Sequence, residues 1–403
     1  MSHVITDEKL VDEILNRGVE KIYPSREELK KKLMSGDRIR LYCGYDPSAK
    51  SLHIGHAISM AKLAQFQKLG HEVIFLIGGF TGMIGDPTDK SAARKKLTRE
   101  EVLSNAESFK EQASHFIDFE GENPAIVKYN NEWHDKLSFK DIIELASNFT
   151  VQQMIQRDMF QKRLEEEKPI FLHEFLYPLA QAYDSVVMDV DLEVGGNDQM
   201  FNMMCGRDLM KSLGKKDKSV LTMKLLADDS GKKMGKSEGN AVFLDETATD
   251  VYGKIMSWTD GVMASAFELC TEVPMDKVTE LLANTNPRDL KMRLAYEITK
   301  INHGEEGAKE AQDHFVKTVQ NKEVPDEIEE RKISEAKMNI IDLLIFLELA
   351  TSKSEARRLT EQGGIKIGTA ENLVAVTDVK AEIDLTAGLI VQRGKRQFVK
   401  IVK

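Results

Sequence analysis

The chain has 403 residues, 41% of them hydrophobic and 30% charged, a balance that suits a globular protein of two or three domains with a large core. The acidic opening 1–10 argues against a signal peptide, the apolar stretch 340–350 is too short to span a bilayer, and Cys43, Cys205 and Cys270 have neither disulfide nor metal spacing, so a cytoplasmic protein with no membrane contact and no protein-ligated metal is expected. The net charge of −10 argues against a nucleic-acid partner until its distribution is read: 331–403 holds thirteen Lys and Arg against nine Asp and Glu, a net of +4, leaving −14 on the rest; a basic tail on an acidic body points to a phosphate-facing module.

In chain order, 38–45 (RIRLYCGY) reads as a strand broken by Gly44. Ile54, Ala57, Ile58 and Ala61 then recur at helical spacing, with Gly70 where a C-terminal cap belongs. The run 73–78 (VIFLIG) is continuously apolar, as in a parallel strand covered on both faces. A second set follows: 186–194 alternates apolar and acidic residues and predicts a strand, 197–213 a helix, and 220–226 another strand. Two such halves predict an α/β fold with a doubly wound, Rossmann-like parallel sheet, which binds ligands past the carboxyl ends of its strands. The expected organisation is a catalytic domain over 1–242 with a helical insertion at about 129–168 and a polar loop at 228–240. A helical domain over 243–325 follows, then an acidic linker over 326–336 and a small α+β domain over 337–403.

Two motifs carry chemistry. His53-Ile54-Gly55-His56 lies between the first strand and the first helix, where a glycine lets a nucleotide approach the backbone and a helix N-terminus faces phosphate. Lys233-Met234-Gly235-Lys236-Ser237 follows Asp228-Asp229-Ser230-Gly231; its two ammonium groups can close over a triphosphate and stabilise the charge moving onto pyrophosphate. Either motif alone also fits a surface turn. A third constellation, Tyr177, Gln181 and Asp184, shares one helix face, and Pro178 requires that helix to begin just before it.

In order and spacing, the first two motifs resemble the HIGH and KMSKS signatures of class I aminoacyl-tRNA synthetases, with Gly235 departing from the second. Tyr42-Cys43-Gly44-Tyr45-Asp46-Pro47, Thr81-Gly82-Met83-Ile84-Gly85-Asp86-Pro87, Tyr177 with Gln181 and Asp184, and Gly195-Gly196-Asn197-Asp198-Gln199 resemble the tyrosyl-tRNA synthetase family across the first 240 residues. The resemblance implies a ligase that activates tyrosine with ATP and then esterifies the terminal adenosine of tRNA(Tyr). It places Tyr42 and Asp184 on the substrate's phenol and Asp86, Tyr177 and Gln181 on its ammonium. Cys43, Gly44, Asp46, Ser48, Gly55, Gly196, Asp198, Gln199 and Ser237 would bind ATP, with Mg²⁺ accompanying the nucleotide. His53, His56, Lys233 and Lys236 would be the catalytic groups, and Lys90 and Arg94 would face the triphosphate or the tRNA acceptor end. Met200 stands where many bacterial relatives have tryptophan. Thr351-Ser352-Lys353-Ser354-Glu355-Ala356-Arg357-Arg358-Leu359 resembles an S4 RNA-binding module, which implies that Arg357 and Arg358, with Lys366 and the cations between Arg393 and Arg396, meet tRNA. Family members are homodimers joined through the insertion. The nearest alternative is the tryptophanyl branch, which shares both signatures; others are a non-catalytic RNA-binding protein on a synthetase scaffold and a small-metabolite nucleotidyltransferase.

Overall fold

The computed structural model describes residues 3–86, 97–228, 231, 233–234, 240–320, 328–369, 372–394 and 397–403. They fall into two compact units, 1–302 and 303–403.

The first unit is built on six strands: β1 Val19–Tyr23, β2 Arg40–Tyr45, β3 Glu72–Ile77, β4 Ile126–Tyr129, β5 Leu192–Gly196 and β6 Ser219–Met223. Their order is β1-β6-β5-β2-β3-β4, parallel throughout except for the antiparallel edge strand β1. The doubly wound α/β fold is therefore present. β6 is buried along its whole length and β3 at every residue but Glu72, which accounts for the unbroken apolar run of β3. The helix Ile54–Lys68 crosses from β2 to β3, and Gly70 beyond it has φ 90°.

The predicted strand over 186–194 is corrected. Residues up to Met188 complete the helix Leu176–Met188, which stops at Asp189 in the left-handed region (φ 47°), and only Leu192 onward is strand. The apolar–acidic alternation there belongs to a helix end and a turn, two structures whose patterns happen to join in register. β1 and the flanking helices Glu8–Asn16 and Arg26–Met34 were not anticipated; an edge strand with mixed exposure gives little alternation. The region 129–168 is helical, in four short segments, and helices Ala248–Met256, Met263–Cys270 and Met275–Asn284 follow the last strand.

In the second unit, β9 Ile365–Thr369, β10 Asn372–Ala375, β12 Ile390–Arg393 and β13 Gln397–Val402 form a sheet in which β13 also pairs with β7 Glu329–Lys332. The short strands β8 Lys337–Asn339 and β11 Glu382–Asp384 pair separately. Helices Ile340–Phe346 and Lys353–Glu361 cover a core that includes Leu343, Leu344, Ala356, Val391 and Ile401. β7 lies inside the stretch expected as linker. Its side chains face largely outward, so charged residues occupy a strand without an apolar signal, and Ile333 just after it is buried. No helix among the described residues is long and apolar enough to cross a membrane.

Candidate active site

β2 and β5 are neighbours, but the chain leaves them in opposite directions, β2 toward β3 and β5 toward β6. The loops beyond such a reversal diverge and leave a crevice. A cavity of ≈ 500 Å³ opens there, lined among others by Tyr42, Asp46, His56, Gln181, Asp198 and Lys233.

One end is organised by the start of the Ile54–Lys68 helix. His53 is its N-cap: Gly55 N–H donates to His53 Nδ1 at 3.1 Å, and His53 N–H donates to His56 Nδ1 at 3.1 Å. With both Nδ1 atoms accepting, the remaining ring hydrogen of each neutral imidazole sits on Nε2. Burial, then the nearby His53 and Lys233, pushes the His56 pKa well below the imidazole range, so His56 is a neutral donor at pH 7. A Cβ on Gly55 would stand 2.9 Å from His53 Cε1, so only glycine lets the ring fold back over the helix end. Across the cavity Lys233 Nζ pairs with Asp198 Oδ2. Met234 is anchored by its N–H to the Leu226 carbonyl at 2.8 Å, and Gly196 leaves room for Asp198, whose Oδ1 would lie 2.5 Å from a Cβ there.

The other end is drier. Asp46 Oδ1 accepts from the Thr81 hydroxyl at 2.6 Å and Oδ2 from the Tyr177 hydroxyl at 2.8 Å. Burial nevertheless raises its pKa to about 7, because two neutral donors do not replace the lost hydration of a carboxylate. Asp184, on the same helix as Tyr177 and Gln181, accepts from Trp133 Nε1 at 2.8 Å, His134 Nε2 at 2.8 Å and Asn130 Nδ2 at 3.2 Å. Its pKa is also raised by burial, with these donors opposing. The Tyr42 hydroxyl meets Ser185 Oγ at 2.9 Å. Asp86 accepts from the Gln199 amide, and the Arg157 guanidinium lies 3.5 Å from its other oxygen.

Residues 34–320 match the family described as tRNA synthetases class I (W and Y), and residues 320–401 match the tyrosine–tRNA ligase SYY-like C-terminal domain. The chain belongs to the tyrosyl-tRNA synthetase family. The tyrosine–tRNA ligase of Thermotoga maritima is 43% identical over 394 residues, 96% of each chain. That of Colwellia psychrerythraea is 43% identical over 396 residues, 96% of this chain and 97% of its own. A C-terminally truncated mitochondrial tyrosyl-tRNA synthetase from Coccidioides posadasii superposes with a TM-score of 0.62 at 26% identity, over 75% of this chain and 91% of its own. The Archaeoglobus fulgidus tyrosyl-tRNA synthetase, crystallised with L-tyrosine, shares the fold at 22% identity and a TM-score of 0.59, over 76% of this chain and 100% of its own.

For a tyrosyl-tRNA synthetase chain, the geometry brings together Tyr42, Cys43, Gly44, Asp46, Ser48, His53, Gly55, His56, Asp86, Tyr177, Gln181, Asp184, Gly196, Asp198, Gln199 and Lys233 around one cavity. Lys90, Arg94, Lys236 and Ser237 lie outside the described residues. Asp46, expected on the nucleotide, is hydrogen-bonded to Tyr177 of the ammonium set. Met200 turns away, toward the Tyr23 hydroxyl at 3.4 Å from its Sδ. In the second unit Arg357, Arg358 and Lys366 are exposed. Arg393 turns inward, donating to the Leu349 carbonyl and to Glu355 Oε1, each at 2.8 Å; Lys395 and Arg396 lie outside the described residues.

Sequence reasoning missed Asn130, Trp133 and His134, which hold Asp184 from the start of the insertion. Trp133 is one of only two tryptophans in the chain, and its position beside a histidine was the one available signal. Thr81 lay within a quoted motif without a role assigned to it, and Glu193 and Lys218 gave no signal, because each acts through a partner distant in sequence.

Proposed function

We propose that the chain activates L-tyrosine with ATP to tyrosyl-adenylate and transfers the tyrosyl group to the terminal adenosine of tRNA(Tyr). The observation that carries the tyrosine assignment is the buried lining of the cavity, which includes both the Asp184 acceptor and the Tyr42 hydroxyl. A phenol can donate to the carboxylate and accept from the tyrosine at once, whereas the indole N–H of tryptophan can only donate. Phenylalanine would cover both groups without the further hydrogen bonds that the phenol supplies. Asp46, Asp86, Tyr177 and Gln181 form the acceptor-rich wall that takes the ammonium.

The substrate carboxylate is already a nucleophile and attacks the α-phosphorus of ATP, so no general base is required. The chain must hold the reactants in line and meet the charge that develops on the phosphates. His53 and His56 do this through Nε2–H donors, and His56, kept neutral by burial, does so without the desolvation penalty of a buried cation. Lys233 is poised at Asp198, the expected ribose acceptor. Mg²⁺ would arrive with ATP and neutralise its phosphates; among the described residues no cluster of three or more His, Cys, Asp or Glu could hold a metal.

The Phe139–Ala146 helix has no buried residue despite its apolar side chains. Phe139, Ile143, Val151, Phe171, Leu172 and Val187 are all exposed, and exposed apolar side chains gathered in one region mark an interaction surface. We assign this surface to a homodimer interface in a cytoplasmic enzyme, and Arg357 and Arg358 to contact with tRNA. Sedimentation of the parent at two protomer masses, and of Phe139→Asp/Leu172→Asp at one, is the expected result; a parent that sediments as a monomer rejects the dimer. The activity is tested by charging tRNA(Tyr) transcripts with labelled tyrosine, where failure of a folded chain to form the ester rejects the assignment.

A further inference from the structure

A buried ion pair lies against the amino-acid end and makes none of the contacts assigned to the substrate. Lys218, just before β6, and Glu193, on β5, have side chains 0% and 2% exposed, and Lys218 Nζ meets Glu193 Oε2. The ammonium sits in a notch beside the Met200–Ser212 helix, where a Cβ on Gly206 would stand 2.4 Å from Lys218 Nζ and 2.9 Å from Ser185 Oγ. A pair so buried gains little stability over well-packed apolar side chains, and the neighbouring positions Leu192, Val194 and Val220 are apolar. Its contacts offer a different reason for its presence. Gln181 Nε2 donates to Glu193 Oε1 at 2.9 Å, Lys218 Nζ donates to Ser185 Oγ at 2.9 Å, and Ser185 Oγ is 2.9 Å from the Tyr42 hydroxyl. One ion pair thus touches a member of the ammonium wall directly and reaches the phenol end through a single hydroxyl.

We propose that Glu193 and Lys218 are positioning residues for the amino acid, fixing which end of the Gln181 amide and which hydrogen of the Tyr42–Ser185 pair the substrate meets. This rests on the assignment of Gln181 to the substrate ammonium. An ionised carboxylate only accepts, so Glu193 must take the amide NH₂ and leave the Gln181 carbonyl for the ligand. That carbonyl is the one end of the amide able to accept from an ammonium. A neutral partner could take either end, and the flipped amide would aim N–H groups at a cation. Lys218 only donates, so it fills an acceptor site on Ser185 and leaves the serine hydrogen for Tyr42 at 2.9 Å, nearer than Glu193 Oε2 at 3.5 Å. The Tyr42 hydrogen then has Glu193 and the incoming phenolic oxygen as its acceptors, while the phenol donates to Asp184.

The test is the near-isosteric neutral pair Glu193→Gln/Lys218→Met, with tyrosine-dependent pyrophosphate exchange and thermal unfolding read together. The expected result is a Tm at or above the parental value with the tyrosine KM raised about tenfold or more, and with kcat and the ATP KM close to parental. Inhibition by 3-(4-hydroxyphenyl)propanoate, which lacks the ammonium, should change much less than the tyrosine KM. A folded pair variant with a parental tyrosine KM overturns the proposal. Should that variant not fold, Glu193→Asp keeps Lys218 paired while drawing the carboxylate back from Gln181. It should raise the tyrosine KM in the same selective way, and a parental KM there is equally fatal. Gln181→Ala separates the two levels: if it leaves the tyrosine KM unchanged, the ammonium assignment itself is wrong.

Discussion

The cavity between β2 and β5 treats its charges differently at its two ends. At the amino-acid end the carboxylates of half-buried Asp46 and buried Asp184 are each held by donors from separate parts of the chain, and both have raised pKa values. At the nucleotide end the side chain of Lys233 is 49% exposed and that of Asp198 26%, and the histidines are fixed by backbone groups of their own helix turn. Groups that must tell one side chain from another are held rigidly in low dielectric, where an unpaired partner is expensive. Groups that must follow a charge from ATP to pyrophosphate stay near water, where they can move with it.

That contrast predicts two distinct kinds of damage. Lys233→Ala should lower kcat for tyrosine activation about 10²–10³-fold, the usual loss for one transition-state charge partner, with little change in the tyrosine KM. A comparable rise in the tyrosine KM would mean that the two ends are not separable. Asp184→Asn should act the other way, lowering kcat/KM for tyrosine by roughly 10–10² while leaving the feeble use of phenylalanine almost untouched. Equal loss for both amino acids would show that Asp184 supports the fold rather than reading the phenol.

The effect of pH is of similar size. The free Asp46 carboxyl, with its pKa at about 7, is largely protonated below that pH, whereas the substrate ammonium is matched by the carboxylate. Tyrosine binding must then release a proton, so the tyrosine KM should climb as pH falls from 7 toward 5, approaching tenfold per unit. A profile flat through pH 6, with Asp46→Asn no different, would remove Asp46 from the ammonium wall. Kinetics at fixed ionic strength give the answer.

The nucleotide end was legible in the sequence because its chemistry is local. His53, Gly55 and His56 act within one helix turn, and Lys233 and Met234 within one loop, so short motifs carry them. The helix bearing Tyr177, Gln181 and Asp184 was legible from its spacing and from Pro178. What holds those side chains was not: Asp184 is fixed by residues about 50 positions earlier, Asp46 by Tyr177 131 positions later, and Glu193 by Lys218 across two strands. Strand register brings such partners together, and no periodicity in one segment reports it. The misread strand at 186–194 and the unseen strand β7 fail for a related reason, since burial pattern follows from neighbours and not from the segment alone.

The measurement closest to the centre of these conclusions is ATP–pyrophosphate exchange by the purified chain with Mg²⁺, offering tyrosine, phenylalanine and tryptophan separately. Exchange with tyrosine alone is the expected result and places discrimination at Tyr42 and Asp184. Exchange with tryptophan, or none at all from a folded chain, would contradict the reading of that end of the cavity.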